Sequence, residues 1–313
     1  MRIFFATDIH GSEVCWRKFL NAGQHYKADV VILGGDMTGK ALVPIIHDGG
    51  ERWHATLLEN RETLVGDEQV QAFEQAVKRR GYYPFRCEPD ELRELSEDEE
   101  RWHRLFEEKM LETVEQWMTL ADERLSGTGI RCFVCPGNDD QLEVDEVVER
   151  SRYVELGEGK VVELDGYQMV SSGWANRTPW QTYREEDEPQ LAERIERMLV
   201  QVTNPPERTI FSLHCPPYGS GLDDAPELTA EMDLKDAGHA VKPVGSTAVR
   251  DAIERFQPAL ALHGHIHEAR GTRRLGRTLC INPGSSYEQG QLLGAVIDLD
   301  GGKKVKKFVL TSG

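Results

Sequence analysis

The sequence predicts an α/β fold, and three observations carry that expectation. Seven short apolar runs have strand character, helical patterns lie between several of them, and 313 residues are enough to bury a full core. The runs are RIFFAT (2–7), DVVILGG (29–35), IRCFVCP (130–136), YQMVSSG (167–173), TIFSLH (209–214), PALALHG (258–264) and TLCIN (278–282). Each reads as a strand because apolar residues recur with period two and the run stops at a polar or glycine turn. Helical patterns cover about 12–24, 67–80, 141–150, 187–202 and 246–256. At the end, LLGAVIDLDGGKKVKKFVL reads as a hairpin around Asp300, Gly301 and Gly302, with lysines along its second strand as on an exposed edge.

The alternation stops between residues 40 and 126. There ALVPII, WHATLL and RETLVG suggest short strands, followed by two helices, the longer from about Leu92 to Leu125. DVVILGGD before this segment and IRCFVCPGND after it share one style, so the segment reads as an insertion within a single domain spanning 1–313. Residues 86–124 carry fourteen Asp/Glu against six Lys/Arg. A solvated helix face explains that charge; a lid or a dimer contact, and with it a homo-oligomer, is the other reading.

Composition narrows the function. The formal net charge is -17 and the pI about 5.1, so the surface repels duplex nucleic acid and membrane headgroups unless charge is reversed locally, as bound divalent cations would do. No apolar run of about 18 residues occurs, and MRIFFATDIH lacks a signal-peptide pattern, which points to the cytoplasm. Cysteines at 15, 87, 132, 135, 215 and 280 form no disulfide framework and read as small buried residues. Cys132 and Cys135 have C-x-x-C spacing, but three residues along a strand they face opposite ways, against a zinc or redox site.

The polar residues at the strand ends carry the chemistry. ATDIHG presents Asp8 and His10, LGGDMTG presents Asp36, PGNDD presents Asn138, SLHCPP presents His214, and HGHIHE presents His265 and His267. All are hard or borderline metal ligands and none is a thiolate. Residues two apart in an extended segment project to one side, so Asp8 with His10, and His265 with His267, each serve one face. Ligands of open α/β sheets bind outside the carboxyl ends of strands, where these seven residues are expected to converge. His263, beside Gly264, reads as structural.

The order D-x-H, G-G-D, G-N-D, H, G-H-x-H resembles the calcineurin-like metallophosphoesterase superfamily over nearly the whole chain outside the insertion. Within it, G-N-D-D at 137–140 and N-P-G-S at 282–285 are similar to the Icc-related, cyclic-nucleotide-phosphodiesterase-like branch. The resemblance implies a four-layer αββα sandwich of two mixed sheets. It implies two divalent ions, one held by Asp8, His10, Asp36 and His267, the other by Asp36, Asn138, His214 and His265, with Asp36 bridging. Mn, Fe, Zn and Co all suit such nitrogen and oxygen ligands. It further implies a hydroxide bridging the metals, attacking in line a small phosphoester such as a cyclic nucleotide or nucleotide derivative.

Many members of that family carry His directly after the Asn, where it is thought to assist the leaving oxygen; here Asp139 stands there. An aspartate with a pKa of about 4 is ionised at neutral pH and donates no proton unless its surroundings raise that value. This favours a phosphodiesterase acting on good leaving groups, with a phosphomonoesterase or a non-catalytic metal- or nucleotide-binding regulatory protein as alternatives. Asp140, with Glu143 three residues on, reads as the N-cap of the 141–150 helix. Candidate substrate contacts are Asn138, then Trp174, Asn176 and Arg177 in SGWANRTPW, and Ser285 in NPGSSYEQG.

Overall fold

The computed structural model describes all residues except 228, 230–234, 236–239 and 302–304. Among the described residues, two six-stranded sheets dominate. The first runs, from edge to edge, through Val305–Ser312, Leu293–Leu299, Arg2–Ala6, Val30–Leu33, Arg131–Val134 and Val154–Leu156. The second runs through Gly271–Leu275, Thr278–Asn282, Leu260–Leu262, Thr209–Leu213, Tyr167–Ser172 and Val161–Leu164. The inner strands are parallel and the edges partly antiparallel, so both sheets are mixed.

Strand periodicity explains the layering. In Arg2–Ala6, Ile3 and Phe5 enter a core shared with Met169, Ile210, Leu260 and Ile281 of the second sheet. Phe4 and Ala6 point the other way, onto Trp16, Phe19 and Leu20 of the helix Glu13–Tyr26. On the far side, Val170, Phe211 and Ala261 pack against Leu191 and Ile195 of Glu188–Leu199 and Val249 and Ile253 of Thr247–Phe256. Helices, sheet, sheet and helices thus form the four-layer sandwich that the ligand order implied. The helix starts follow their side chains: Ser12 and Ser246 each accept from a backbone N–H of the first turn, and Asp187 with Gln190 completes a capping box.

Between Val30–Leu33 and Arg131–Val134 lies a four-stranded sheet ordered Asn60–Val65, Arg52–Leu57, Leu42–Gly49, Tyr83–Cys87, with the helix Gly66–Arg79 against it. The strand Tyr83–Cys87 was not expected, since Pro84 interrupts it; it occupies an edge, where a missing N–H costs no ladder bond. The expected helix from Leu92 to Leu125 is two, Pro89–Glu97 and Glu99–Leu125. Asp98 leaves helical geometry (φ -123°, ψ 92°) and its side chain accepts from the Arg101 N–H, capping the second helix instead of continuing the first. That long helix buries Met110, Val114, Trp117, Met118, Ala121 and Leu125 in the core of the first sheet, where the Trp117 indole stacks on Trp16.

The expected 141–150 helix is shorter, Glu143–Glu149, with Leu142 at its cap position and no side-chain cap bond. The terminal hairpin pairs Leu293–Leu299 with Val305–Ser312 at a sheet edge; Gly302 of its expected turn lies outside the described residues. All six cysteines are buried and free. Among the described residues no helix is long and apolar enough to cross a membrane.

Candidate metal centre

The loops leaving the strands are bonded to one another before any side chain enters. Asp8 N–H donates to Gly35 C=O (2.9 Å), His10 N–H to Asp36 C=O (3.0 Å) and Gly11 N–H to Met37 C=O (2.8 Å). The backbone in these loops is not extended. Asp8 (φ 53°), His10 (φ 38°), Asp36 (φ 49°) and His265 (φ 67°) all lie in the left-handed region. The side chains therefore converge through tight left-handed turns, not through the strand alternation expected from their spacing. Non-glycine residues rarely adopt this conformation, and its concentration on four candidate ligands marks a site where the surrounding loops hold strained backbone in place. Close approach also explains two glycines: a Cβ on Gly35 would collide with the His214 imidazole, and one on Gly137 with the Asp36 carboxylate.

The side chains gather into adjoining groups. Asp8, His10 and His267 form one, Asp36, His214 and His265 a second, and His10, Asp36 and Asp139 a third, with ligand atoms in each within 4.8 Å of one another. The Asp36 carboxylate faces two of the groups, with Oδ2 3.7 Å from His10 Nε2 and 3.3 Å from His214 Nε2. His10 Nε2 and His267 Nε2 stand 3.0 Å apart, and Asp8 Oδ1 is 3.4 Å from the latter.

These groups fit a cation on three grounds. His214 Nδ1 lies 2.9 Å from the Gly34 carbonyl oxygen, which favours the Nδ1–H tautomer and turns the Nε2 lone pair inward, where it is buried without a hydrogen-bond partner. Asn138 Nδ2 donates to Thr182 Oγ1 (2.9 Å) and Asp139 Oδ1 (3.1 Å), while its Oδ1 is likewise buried and unpartnered. Buried polar atoms rarely go unsatisfied, and a cation would satisfy those of an acceptor-rich pocket of this kind. The charge balance agrees. Burial alone would raise the Asp8 carboxyl, but His267 and His214 outweigh it and hold it at about 2. Burial lowers His10 to about 3 and His265 to about 4, leaving both rings neutral at neutral pH with lone pairs available. For His214 burial is outweighed by Asp36 and Asp8, which push it up to about 10, so a cation would have to displace a proton to reach that Nε2 lone pair.

Asp139 sits beside this cluster. Its carboxylate is 2.6 Å from Lys40 Nζ and 3.8 Å from His10 Nδ1, and its backbone N–H donates to Asp36 Oδ1 (3.0 Å). Burial and the charge on Asp36 raise its pKa to about 6 against the opposing pull of Lys40. Asp140 is not a helix cap. It is fully buried and accepts from the N–H groups of Met37 (3.0 Å), Thr38 (2.8 Å) and Gly137 (2.6 Å) and from Thr38 Oγ1 (2.6 Å), fastening the Asp36 loop to the Asn138 loop.

The other expected substrate contacts have different partners. The Trp174 ring carries the Arg194 guanidinium 3.9 Å from its centroid, Asn176 donates to Val244 C=O (3.2 Å) and accepts from Cys215 Sγ, and Arg177 pairs with Asp187 at the surface. Ser285 Oγ donates to the Asp8 carbonyl (2.6 Å), and Asn282 ties its own turn to Gly264 and Ile266, so this turn holds the Asp8 loop in place. His263 is buried, with Nδ1 2.8 Å from Leu213 C=O, and belongs to the scaffold.

Three residues near the cluster escaped the sequence reading. Lys40 was signalled only as a lone cation four residues after Asp36. Tyr287, whose ring is 4.8 Å from that of His10, follows the serines of the N-P-G-S turn. Arg184, with a side chain 1% exposed, donates to Asp140 C=O, Gln141 C=O and the Asp145 carboxylate, clamping the Asn138 loop from behind; no short motif surrounds it.

The family described as calcineurin-like phosphoesterase matches residues 1–269. An uncharacterized protein of Methanocaldococcus jannaschii is 29% identical over 178 residues, covering 56% of this chain and 71% of that one. A solved structure from Thermus thermophilus superposes with a TM-score of 0.52 at 14% identity, covering 100% of this chain and 97% of its own. Another solved structure superposes with a TM-score of 0.58 at 15% identity, covering 99% and 98%. At these identities the two structures share the fold.

Proposed function

The chain belongs to the calcineurin-like phosphoesterase family, and from that premise we propose that it is a dinuclear metal-dependent phosphodiesterase acting on a small diester. The family uses divalent metals to hydrolyse phosphoesters; the number of ions, their ligands and the preference for diesters are the proposal. One ion would be held by Asp8, His10, Asp36 and His267, the other by Asp36, Asn138, His214 and His265. The observation that carries this is the Asp36 carboxylate, which faces His10 on one side and His214 on the other. Bound there, divalent ions would acidify a water and offset the charge on the phosphoryl oxygens.

The chain's own residues favour a diester. Asp36 and Asp139 are close enough for the charge of one to raise the pKa of the other, and the whole chain carries a net charge of -17. Beyond the reach of the bound ions, a dianionic monoester meets more repulsion from these charges than a monoanionic diester does. Lys40 offsets part of that charge through its pair with Asp139.

The test joins metal analysis with kinetics. Protein supplied with Mn2+ should hold about two ions per chain, and bis-p-nitrophenyl phosphate should turn over faster than p-nitrophenyl phosphate. Asp36→Asn should reduce both metal content and turnover more than His10→Ala. Protein that holds no metal after Mn2+ is supplied would sink the dinuclear reading. Two bound ions without turnover of any ester would favour a regulatory binding protein, and faster turnover of the monoester would make it a phosphomonoesterase.

A further inference from the structure

The long inserted helix and the loop at 177–183 face each other across a cleft of about 480 Å³. Trp102 and Phe106 of the helix line it together with Trp180 and Tyr183 of the loop, and Lys40 and Asp139 belong to the same lining. Asp139 also belongs to the cluster with His10 and Asp36, so the cleft is continuous with the candidate metal centre. Nothing in the ligand motifs points to this place. We propose that it is a base-binding subsite, in which a nucleobase carried on one arm of the phosphoester stacks between the aromatic walls while its phosphate reaches the cluster beyond Asp139. This rests on the phosphoesterase reading above and names its substrate class.

Four features favour a flat aromatic ligand. The volume lies within the range of small-molecule sites. Trp102 and Phe106 are one helical turn apart, on one face, and each is steadied by an edge contact from the strand below, Phe85 against Trp102 and Tyr83 against Phe106. Trp180 is 66% and Tyr183 51% exposed, an unusual state for large aromatic side chains that a stacked ligand would relieve. The loop that presents them is nonetheless built: Glu185 accepts from the backbone N–H groups of Thr178 and Thr182, and Tyr183 Oη accepts from the Gln141 amide (2.9 Å). A lipid chain would call for aliphatic walls, and of the lining residues only Ala41 and Leu42 are aliphatic. Aromatic faces accept every nucleobase, so the subsite selects for a base without choosing among bases.

The insertion thereby acquires a role. Its long helix contributes Trp102 and Phe106 to the lining, so the reach of the site is set in part by a segment outside the ligand motifs.

The experiment is a fluorescence titration of Mn2+-supplied protein with adenosine 5′-monophosphate and with ribose 5-phosphate, alongside turnover of methyl p-nitrophenyl phosphate. The nucleotide should bind about tenfold or more tightly than the sugar phosphate, and Trp180→Ala and Phe106→Ala should each close most of that gap. Phe106 packs on Tyr83 and its loss could disturb folding; Trp180 stands in an exposed loop and keeps the test informative. Equal affinities, or a gap that survives both substitutions, overturn the subsite while ester turnover leaves the phosphoesterase reading intact. Base-selective binding with no ester turned over supports the subsite and overturns hydrolysis. Neither selectivity nor turnover overturns both.

Discussion

Asp140 accepts four hydrogen bonds from two loops while fully buried, and that number sets what its loss should do. Asp140→Asn keeps one good acceptor oxygen and turns an NH2 group toward donors that no longer have a partner. Leaving buried donors unmet costs about 1–3 kcal/mol, and outer-shell partners of metal ligands typically govern about 10- to 100-fold in metal affinity. Mn2+ titration should therefore show Asp140→Asn weakened by at least about tenfold, although Asp140 is not a proposed ligand. Unchanged affinity would mean the Asp36 and Asn138 loops hold their positions without it. The candidate ligands themselves were legible in the sequence because aspartate, asparagine and histidine sit directly behind apolar strands. The role of Asp140 was hidden, because Gln141, Leu142 and Glu143 after it imitate a helix start. The left-handed backbone at Asp8, His10, Asp36 and His265 was equally hidden, since it is imposed by bonds between loops distant in sequence.

At the scale of elements, the helix Glu99–Leu125 serves two environments along one length. Its inner face is core, with Trp117 against Trp16 and its backbone carbonyl accepting from the Trp16 indole N–H, while Glu99 and Glu100 lie in solvent. Deleting the helix would therefore strip the core of the first sheet. Trp117→Ala should cost about 3–5 kcal/mol in urea unfolding, as expected for a large core aromatic, whereas Glu100→Ala should stay within about 0.5 kcal/mol. If Trp117→Ala left stability intact, the helix would be a detachable lid. Here the sequence was partly readable. Apolar periodicity marked the helix, but the break at Asp98 depended on one side chain choosing to cap, which periodicity does not report. The edge strand Tyr83–Cys87 was missed because Pro84 is a poor strand signal wherever both neighbours must be bonded, and an edge has only one.

The whole molecule carries a net charge of -17, and the proposed substrate is an anion. A field of that sign slows the approach of an anionic ester at long range, while the candidate ion sites and Lys40 attract it only at close range. Salt separates the two contributions. The Debye length falls from about 30 Å at 0.01 M to about 8 Å at 0.15 M, which screens charges spread over the surface far more than those packed around a partly buried site. Repulsion by the surface should therefore fade first. With metal saturating throughout, kcat/KM for bis-p-nitrophenyl phosphate should rise several-fold between these two ionic strengths, while kcat itself stays nearly constant because the bound ester no longer feels the approach. Added lysine charge at exposed positions of the acidic helix, such as Glu99→Lys and Glu100→Lys, should flatten the dependence without touching the cluster. A kcat/KM that falls with salt would show instead that the positive charge at the site's mouth extends beyond the acidic surface and draws the substrate in from a distance.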